Sequence, residues 1–248
     1  MNQAIDHWQV QVQGSGSDLE HLEKYFSSGS QRFQHDKIAT GFLYGSDRFE
    51  GCTDSNQVLK IAEEELLILS GVLKVARESR DSLKIGGVFR MNANGRRDIF
   101  VHIHEGARAT AEVGVLSVSV TGPDGKTITN APSPRTVILS RVALEDAAVT
   151  KAMRLLAAPD SESWVSLYRL YEVVKADVGG EQALKQHAWG STTDFERFRR
   201  SANSVTVAGD RARHGSENTQ PPTKPMTVEE AVAFVNYIVN AWLATKGV

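Results

Sequence analysis

Four ionisable residues near the end of the chain have the types and spacing that could do chemistry. Asp210, Arg211, Arg213 and His214 lie within five consecutive positions. On a helix, spacings of three and four residues place Asp210, Arg211 and His214 on adjoining positions of one face. A nearby carboxylate and a helix C-terminus favour the imidazolium, and the arginines oppose it. If the first two effects prevail, His214 is a better proton donor than acceptor near neutral pH.

The same cluster also fits a purely structural role. Basic residues near a helix C-terminus, paired with a carboxylate, commonly stabilise the helix end without any activity. Glu172 has a similar double interpretation, because it could orient an arginine of a neighbouring helix or simply lie at the rim of an aromatic stripe. Both interpretations stay open from the residues alone.

An amphipathic helix from Thr193 to Gly215 is predicted to position the cluster. Its apolar stripe recurs every three or four residues, at Phe195, Phe198, Ala202, Val205, Gly209 and Ala212. Thr193 and Glu196 form a predicted capping box, and Gly215 is a predicted stop. Gly209 costs a helix about 1 kcal/mol relative to alanine, so a break near it is the alternative.

Asn203 is predicted to take no part in the same site within one chain. It precedes His214 by eleven residues, which is nearly the same helical face. At a rise of about 1.5 Å per residue, the two side chains would be about 16 Å apart along a continuous helix. That separation is too large for them to share one proton or one phosphate.

Arginines are concentrated in this part of the chain. Five of them, Arg197, Arg199, Arg200, Arg211 and Arg213, fall within seventeen residues. Arg197, Arg200 and Arg213 are predicted to contact nucleic acid, because clustered basic side chains neutralise phosphates. The formal net charge of the chain is −2, so any such surface must be local.

Cysteine content and hydropathy limit the class of protein. The 248 residues include one cysteine, Cys52, which rules out an intrachain disulfide and a multi-cysteine zinc site. No apolar run approaches the roughly 20 residues of a membrane helix, and no secretory signal is visible at the N-terminus. The sequence therefore predicts a cytoplasmic protein with no membrane partner.

Two histidines on a predicted strand have the spacing of metal ligands. His102 and His104 project from one face, and Glu105 is the only neighbouring third ligand. Exposure on the polar face explains both histidines, so we predict no metal and no cofactor.

The first 135 residues are predicted to form an α+β domain with a mostly antiparallel sheet and two helices. Alternating residues predict strands at Trp8–Val12 and in Gln31–Tyr44, and Asn94-Gly95 predicts a hairpin turn between residues 88 and 104. Apolar stripes predict one helix after Ser17 or Asp18 and a longer one after Asp54 or Ser55, with its end marked approximately by Gly71 and the charged run from Arg77 to Asp81. Further strands are predicted at 113–120 and 127–129.

Residues 136–248 are predicted to form an all-α helical bundle. The helices are expected at 144–156, from Ser161 to Gly179, over the Thr193 stretch, and after a capping box at Thr227 and Glu230. The last helix is apolar on most of its circumference, which predicts a position at the centre of the bundle.

The C-terminal half resembles the HEPN superfamily, the higher eukaryote and prokaryote nucleotide-binding domains, in having an Arg and a His close together before its last helix. It is also similar to a group of bacterial proteins that share the segments LYRLYEVV, RSAN and ARHG. Many HEPN proteins are metal-independent ribonucleases of toxin–antitoxin and antiphage systems, and they usually act as dimers. The resemblance implies a catalytic pair of Arg211 and His214, a homodimer formed through the helical domain, RNA as the partner and a role in bacterial defence or stress. The spacing of Asp210 from His214 adds Asp210 to this predicted catalytic set.

A non-catalytic function is the alternative prediction. In it, the helical half dimerises or binds a partner and the N-terminal domain recognises a ligand. The HEPN pattern has four to six residues between its Arg and His, whereas two separate Arg211 from His214. That spacing and the near-neutral net charge favour the non-catalytic interpretation. The two predictions differ over whether Arg197, Arg200, Arg211 and Arg213 line an open groove or are held in ion pairs.

Overall fold

A computed structural model describes residues 7–38, 40–92, 96–100, 134–213 and 219–248 of the chain. It has a five-stranded antiparallel sheet in the N-terminal part and helices after it, which confirms the predicted α+β class. The described residues divide into two compact units: a sheet unit within residues 1–63 and 84–133, and a helical unit within 64–83 and 134–248. The sequence placed a single boundary at residue 135, whereas here residues 64–83 group with the helical unit.

The sheet unit contains all five strands. They are β1 (His7–Gln13), β2 (Gln31–His35), β3 (Phe42–Ser46), β4 (Lys84–Met91) and β5 (Arg97–Phe100). Their order in the sheet is β2-β3-β1-β4-β5, and every neighbouring pair is antiparallel. The helix α1 (Gly16–Tyr25), a 3-10 turn (Asp47–Phe49) and the start of α2 (Ser55–Arg77) belong to the same unit.

One row of apolar residues crosses the whole sheet and forms its core. Register pairs join Phe33 to Tyr44, Tyr44 to Val10, Val10 to Val88 and Val88 to Phe100. The first four are at most 1% exposed. Successive residues of a strand point to opposite faces, so this row belongs to the face on which the ring of Phe26 lies 6.3 Å from that of Phe33.

Several predictions for the first half fall on residues outside the described ranges. They are the Asn94-Gly95 turn, the histidines His102 and His104 with Glu105, and the strands at 113–120 and 127–129. The strands on either side of the predicted turn, β4 and β5, pair in antiparallel register as expected.

The helical unit is built from seven helices within the described residues, besides the end of α2. They are α3 (Pro134–Glu145), α4 (Ala147–Ala157), α5 (Trp164–Asp177), α6 (Glu181–Gln186), α7 (Thr192–Asn203), α8 (Val205–Ala208) and α9 (Val228–Thr245). The helix predicted at 144–156 is observed as α4, which begins three residues later, and α3 was not predicted. The later start is due to Asp146, because its side chain accepts hydrogen bonds from the amides of Ala148 and Val149 and caps α4.

α2 ends at Arg77, where the predicted charged run begins, and Gly71 lies within the helix. A Cβ atom built on Gly71 would lie 2.1 Å from the carbonyl oxygen of Met153 in α4. Glycine is therefore needed here because a side chain would collide with the backbone of the neighbouring helix.

α9 lies at one side of the helical unit and not at its centre. Its buried face carries Val235, Ile238 and Trp242. Tyr237 is 59% exposed, and Asn236 and Asn240 are exposed beside it. The prediction of a central helix is wrong because Asn236, Tyr237 and Asn240 form an exposed face, so no other element covers that side of α9 within the described residues. The predicted capping box of Thr227 and Glu230 is confirmed.

Candidate functional site

The predicted site helix ends halfway along the stretch that was expected to form it. α7 begins with a capping box of Ser191 and Asp194, so the predicted pair of Thr193 and Glu196 is wrong. Hydrogen bonds from the hydroxyl and amide of Ser191 hold the pKa of Asp194 below its usual value. α7 ends at Asn203, where Ser204 takes up extended backbone angles. The predicted continuous helix from Thr193 to Gly215 is therefore wrong.

Aromatic packing fixes α7. Phe195 and Phe198 are fully buried, and the ring of Phe198 lies 5.9 Å from Tyr168 and 5.5 Å from Tyr171 of α5. Phe234 of α9 lies 5.8 Å from the same ring. The first half of the predicted stripe thus forms the aromatic centre of the helical unit.

The chain after α7 turns back on itself. We call residues Val205 to Arg213 the return segment; it contains α8 and a 3-10 turn, Gly209–Arg211, and neither of these contains a buried residue. Gly209 has φ of +57°, a conformation that glycine adopts without strain. The amide of Arg213 then donates a 3.0 Å hydrogen bond to the carbonyl oxygen of Ala202. The end of the return segment is therefore in contact with the end of α7.

The distance of about 16 Å predicted between Asn203 and His214 assumed a straight helix with a constant rise per residue. That helix ends at Asn203, and the returning segment brings the Arg213 amide to the carbonyl oxygen of the residue that precedes Asn203. His214 lies outside the described residues, so its separation from Asn203 stays a prediction.

Two polar groups at the end of α7 are buried without a hydrogen-bond partner. The amide nitrogen of Asn203 donates to the carbonyl oxygen of Arg199 at 2.8 Å, but its Oδ1 is unsatisfied. The hydroxyl of Ser204 is also unsatisfied, and this residue is 1% exposed. Buried polar groups usually have partners, so this unsatisfied acceptor and the neighbouring hydroxyl make the end of α7 a candidate site.

Arg213 joins the return segment to α5. Its guanidinium donates to Oε1 of Glu172 at 3.1 Å and lies 4.2 Å above the ring of Tyr168. Glu172 thus pairs with an arginine of a neighbouring element. This contact agrees with the first of the two predicted roles of Glu172, in which its carboxylate orients an arginine. Both side chains of the pair remain partly exposed, so the pair lies at the surface.

Arg197 and Arg200 bind the chain that crosses back before α9. Arg197 donates to the carbonyl oxygen of Lys224 at 2.7 Å and to Glu230 at 2.9 Å. Arg200 donates to the carbonyl oxygens of Gln220 and Pro221 at 3.0 and 2.9 Å. These bonds satisfy backbone acceptors next to prolines. The prediction that both arginines contact nucleic acid stays a prediction.

Arg199 and Tyr171 complete the polar surroundings of α7. Arg199 donates to Glu181 at 2.6 Å. A hydrogen bond from Lys185, together with the Arg199 charge, lowers the pKa of Glu181 despite its partial burial. Burial, with the nearby Glu181 charge, raises the pKa of Tyr171 to about 12. The Tyr171 hydroxyl is also buried without a partner, so the phenol is neutral at ordinary pH.

Asp210 and Arg211 are exposed on the 3-10 turn of the return segment. The Arg211 guanidinium makes no hydrogen bond or ion pair to any described residue. The other four arginines of this part of the chain all have internal partners: Arg197, Arg199, Arg200 and Arg213. His214 lies outside the described residues. The structure therefore places Arg213 against Glu172 and against the end of α7, where Asn203 and Ser204 lie, and it leaves Arg211 on the open surface of the same segment.

Asn203 and Ser204 are the residues that sequence reasoning missed. The signal was present in part, because Ser204 is a good N-cap residue and Gly209 favours a break. Four polar or helix-disfavouring residues in the stretch from Asn203 to Gly209 would have been enough to question a continuous helix.

Metal and membrane features are absent from the described part of the chain. Within it, no three histidine, cysteine, aspartate or glutamate side chains are grouped to hold a metal ion. None of its helices combines the length and apolar character that crossing a bilayer requires.

Comparisons of this chain with protein-family models, curated proteins and solved structures find no match.

Proposed function

We propose that the helical unit is a HEPN-like, metal-independent endoribonuclease domain of a bacterial defence or stress system. The observation that carries the proposal is the hydrogen bond from the Arg213 amide to the Ala202 carbonyl. It joins the segment that contains Asp210 and Arg211 to the end of α7, next to Asn203 and Ser204, whose Oδ1 and hydroxyl have no partner. This contact supports the proposal because it brings an exposed charged segment to a helix end with unused polar groups.

In this proposal each residue has a defined role. Arg211, exposed and without an internal partner among the described residues, binds a phosphate of the RNA. His214, the residue after Arg213, acts as general acid or base, and Asp210 supports its charge. The ribose 2′-hydroxyl attacks the adjacent phosphorus, its proton passes to the base, and the 5′-oxygen leaves with a proton from the acid.

The paired arginines have a supporting role in the same proposal. Arg213 is held by Glu172 and Tyr168 and fixes the described end of the return segment. Arg197 and Arg200 anchor the crossing segment, and their remaining charge faces a groove of about 260 Å³ that Lys224 also lines. Several N–H donors of these two arginines already bind carbonyl oxygens of the crossing segment, so their contact with RNA is a secondary part of the proposal.

A homodimer through the helical unit is part of this proposal. Val137 and Leu144 of α3 and Tyr237 of α9 are large apolar residues at least 40% exposed. Arg135 of α3 donates to Asn240 of α9, so the two helices that carry these residues are in contact. Light scattering coupled to size exclusion should give twice the monomer mass, and Tyr237→Glu should reduce it.

Cleavage of a labelled single-stranded RNA in EDTA tests the nuclease. Full-length protein should cleave it, and both His214→Ala and Arg211→Ala should lose activity by about a hundredfold or more, as expected for general acid–base and charge-stabilising groups. Arg154→Ala, another exposed arginine of the helical unit, is the matched control and should cleave normally. No cleavage by the wild type, or equal cleavage by His214→Ala, would refute the proposal.

A non-catalytic interaction protein is the second candidate. It is favoured by the internal hydrogen bonds of Arg197, Arg199, Arg200 and Arg213, which are the expected pattern if this surface is structural. In that case the protein should neither cleave nor bind RNA, and Arg211→Ala should change nothing. Filter binding of the same RNA by wild type and Arg211→Ala separates the two candidates.

A further inference from the structure

A polar cavity of about 380 Å³ lies within the sheet unit, apart from the residues proposed for RNA cleavage. Its lining includes Trp8, Gln9, Arg32, Gln34, Gly45 and Arg90. Small-molecule sites typically have volumes of about 300–1,000 Å³ and a few convergent polar groups. The cavity therefore has the size and composition of a site for one small ligand.

The cavity lining comes from both faces of the sheet: Gln9, Arg32, Gln34 and Gly45 lie opposite the apolar core row, whereas Trp8 and Arg90 lie on the face of that row. Arg32 pairs with Gly45 in the sheet register, and Gln9 and Gly45 are the neighbours of the paired residues Val10 and Tyr44. The three positions therefore adjoin on three adjacent strands. A Cβ atom on Gly45 would lie 3.9 Å from the Arg32 Nε, so the missing side chain leaves a trough beside the guanidinium.

Gln9 supplies a carboxamide to this trough. The residue is 9% exposed, and its side chain forms no hydrogen bond within the described part of the chain. Its carboxamide atoms are not closed off from solvent, so they are available to a ligand in the cavity. Gln34, two residues after Arg32 on the same strand, adds a second carboxamide to the lining.

Cationic groups accompany the carboxamides. Arg32 uses one terminal nitrogen for Asp47, at 2.5 Å, and for the carbonyl oxygen of Gly29, at 2.6 Å. Its Nε and other terminal nitrogen form no hydrogen bond to described residues. The Arg32 side chain is 43% exposed, so these donors remain accessible to an anion.

An aromatic wall completes the cavity. The indole of Trp8 is fixed by a 3.0 Å hydrogen bond to the carbonyl oxygen of Cys52. The guanidinium of Arg90 lies 5.5 Å from the indole centroid. Flat aromatic and guanidinium groups are the surfaces against which nucleobases stack.

We propose that this cavity binds a mononucleotide. The carboxamides of Gln9 and Gln34 present paired donors and acceptors that match the amide-like edges of a base, as glutamine does with adenine. Arg32 binds the phosphate through its unused donors. A phosphate alone would leave the carboxamides unsatisfied, and a nucleoside alone would not use the guanidinium.

Titration calorimetry with ribonucleoside 5′-monophosphates tests this site in the full-length protein. At least one of the four should bind and quench Trp8, and its nucleoside and inorganic phosphate should each bind at least about tenfold more weakly. Gln9→Leu should weaken nucleotide binding by about tenfold, while Gln13→Leu, on the exposed end of the same strand, should have no effect.

Gly45→Val gives an independent test that keeps all the polar groups. Gly45 has ordinary strand geometry, and valine favours strands, so the variant should fold with an unchanged circular dichroism spectrum. Its side chain should fill the trough and abolish binding. The inference is overturned if no nucleotide binds at millimolar concentration, if phosphate binds as tightly as the nucleotide, or if Gln9→Leu binds like wild type. Loss of RNA cleavage in His214→Ala should leave this binding intact, which distinguishes the site from the proposed nuclease.

Discussion

α7 and the return segment continue the same apolar stripe in sequence, yet they differ in what holds them. Phe195, Phe198 and Ala202 of α7 are fully buried, whereas neither α8 nor the following 3-10 turn has a buried residue. α7 is held by aromatic packing, and the return segment by a backbone hydrogen bond and the pair of Arg213 with Glu172. An apolar stripe at helical spacing therefore predicts a helix correctly only where its large side chains are buried. The part of the stripe in the return segment is not buried, and its polar side chains are accessible.

The largest effect should come from removing the aromatic centre of α7. Phe198→Ala should lower the free energy of unfolding by about 3–5 kcal/mol, because it leaves a cavity among Tyr168, Tyr171 and Phe234. Val205→Ala in the return segment should change it by less than about 1.5 kcal/mol. Urea unfolding measures both, and equal losses would remove the contrast between the two segments.

Alkaline pH should weaken the surroundings of α7 through Tyr171. Its phenol ionises near pH 10.0 in the unfolded chain and near pH 12 when folded. The folded state holds the proton more tightly, so this stabilisation is complete below pH 10 and is lost as the pH rises toward 12, by about 2–3 kcal/mol.

Tyr171→Phe should remove this pH dependence. Because the hydroxyl has no hydrogen-bond partner, the variant should be as stable as wild type at pH 7. Unfolding measured at pH 7 and at pH 11 should show wild type losing stability relative to the variant. Parallel pH profiles would contradict the assignment.

Two serines at the end of α7 offer a matched comparison. The hydroxyl of Ser201 accepts a hydrogen bond from the Met226 amide at 2.9 Å in a fully buried position. Ser201→Ala should cost about 1–3 kcal/mol because it leaves that amide unsatisfied. Ser204→Ala should cost nothing, since its hydroxyl has no partner, and thermal melts of the two variants should differ clearly. A destabilised Ser204→Ala would mean that this hydroxyl is already used.

The smallest effects should separate the arginines. Arg200→Ala loses two hydrogen bonds to carbonyl oxygens and should cost about 1 kcal/mol. Arg211→Ala, exposed on the return segment, should stay within about 0.5 kcal/mol of wild type. Comparable unfolding midpoints for the two variants would show that Arg200 is as dispensable to the fold as Arg211.

The local patterns of the sequence determined much of the architecture. Alternating apolar and polar residues around Val10 and Val88 predicted the strands that contain them. The α+β class was predicted because alternation is confined to the first half of the chain and helical spacing dominates the second. The capping box at Thr227 and Glu230 placed the start of α9 correctly. These features depend on neighbours within one or two turns, so the sequence alone carries them.

Only the tertiary structure decided which residues could form a site. The path from Ser204 to Arg213 depends on a hydrogen bond between residues eleven apart and on the contact of Arg213 with α5. Arg197 binds a carbonyl oxygen 27 residues further along the chain, and Arg200 binds one 20 residues further along. The position of Gln9 beside Arg32 and Gly45 depends on the register of three strands. Periodicity describes one element at a time, whereas these arrangements arise when distant elements pack. The sequence alone therefore identified the charged residues. It did not determine which of them remain available for binding.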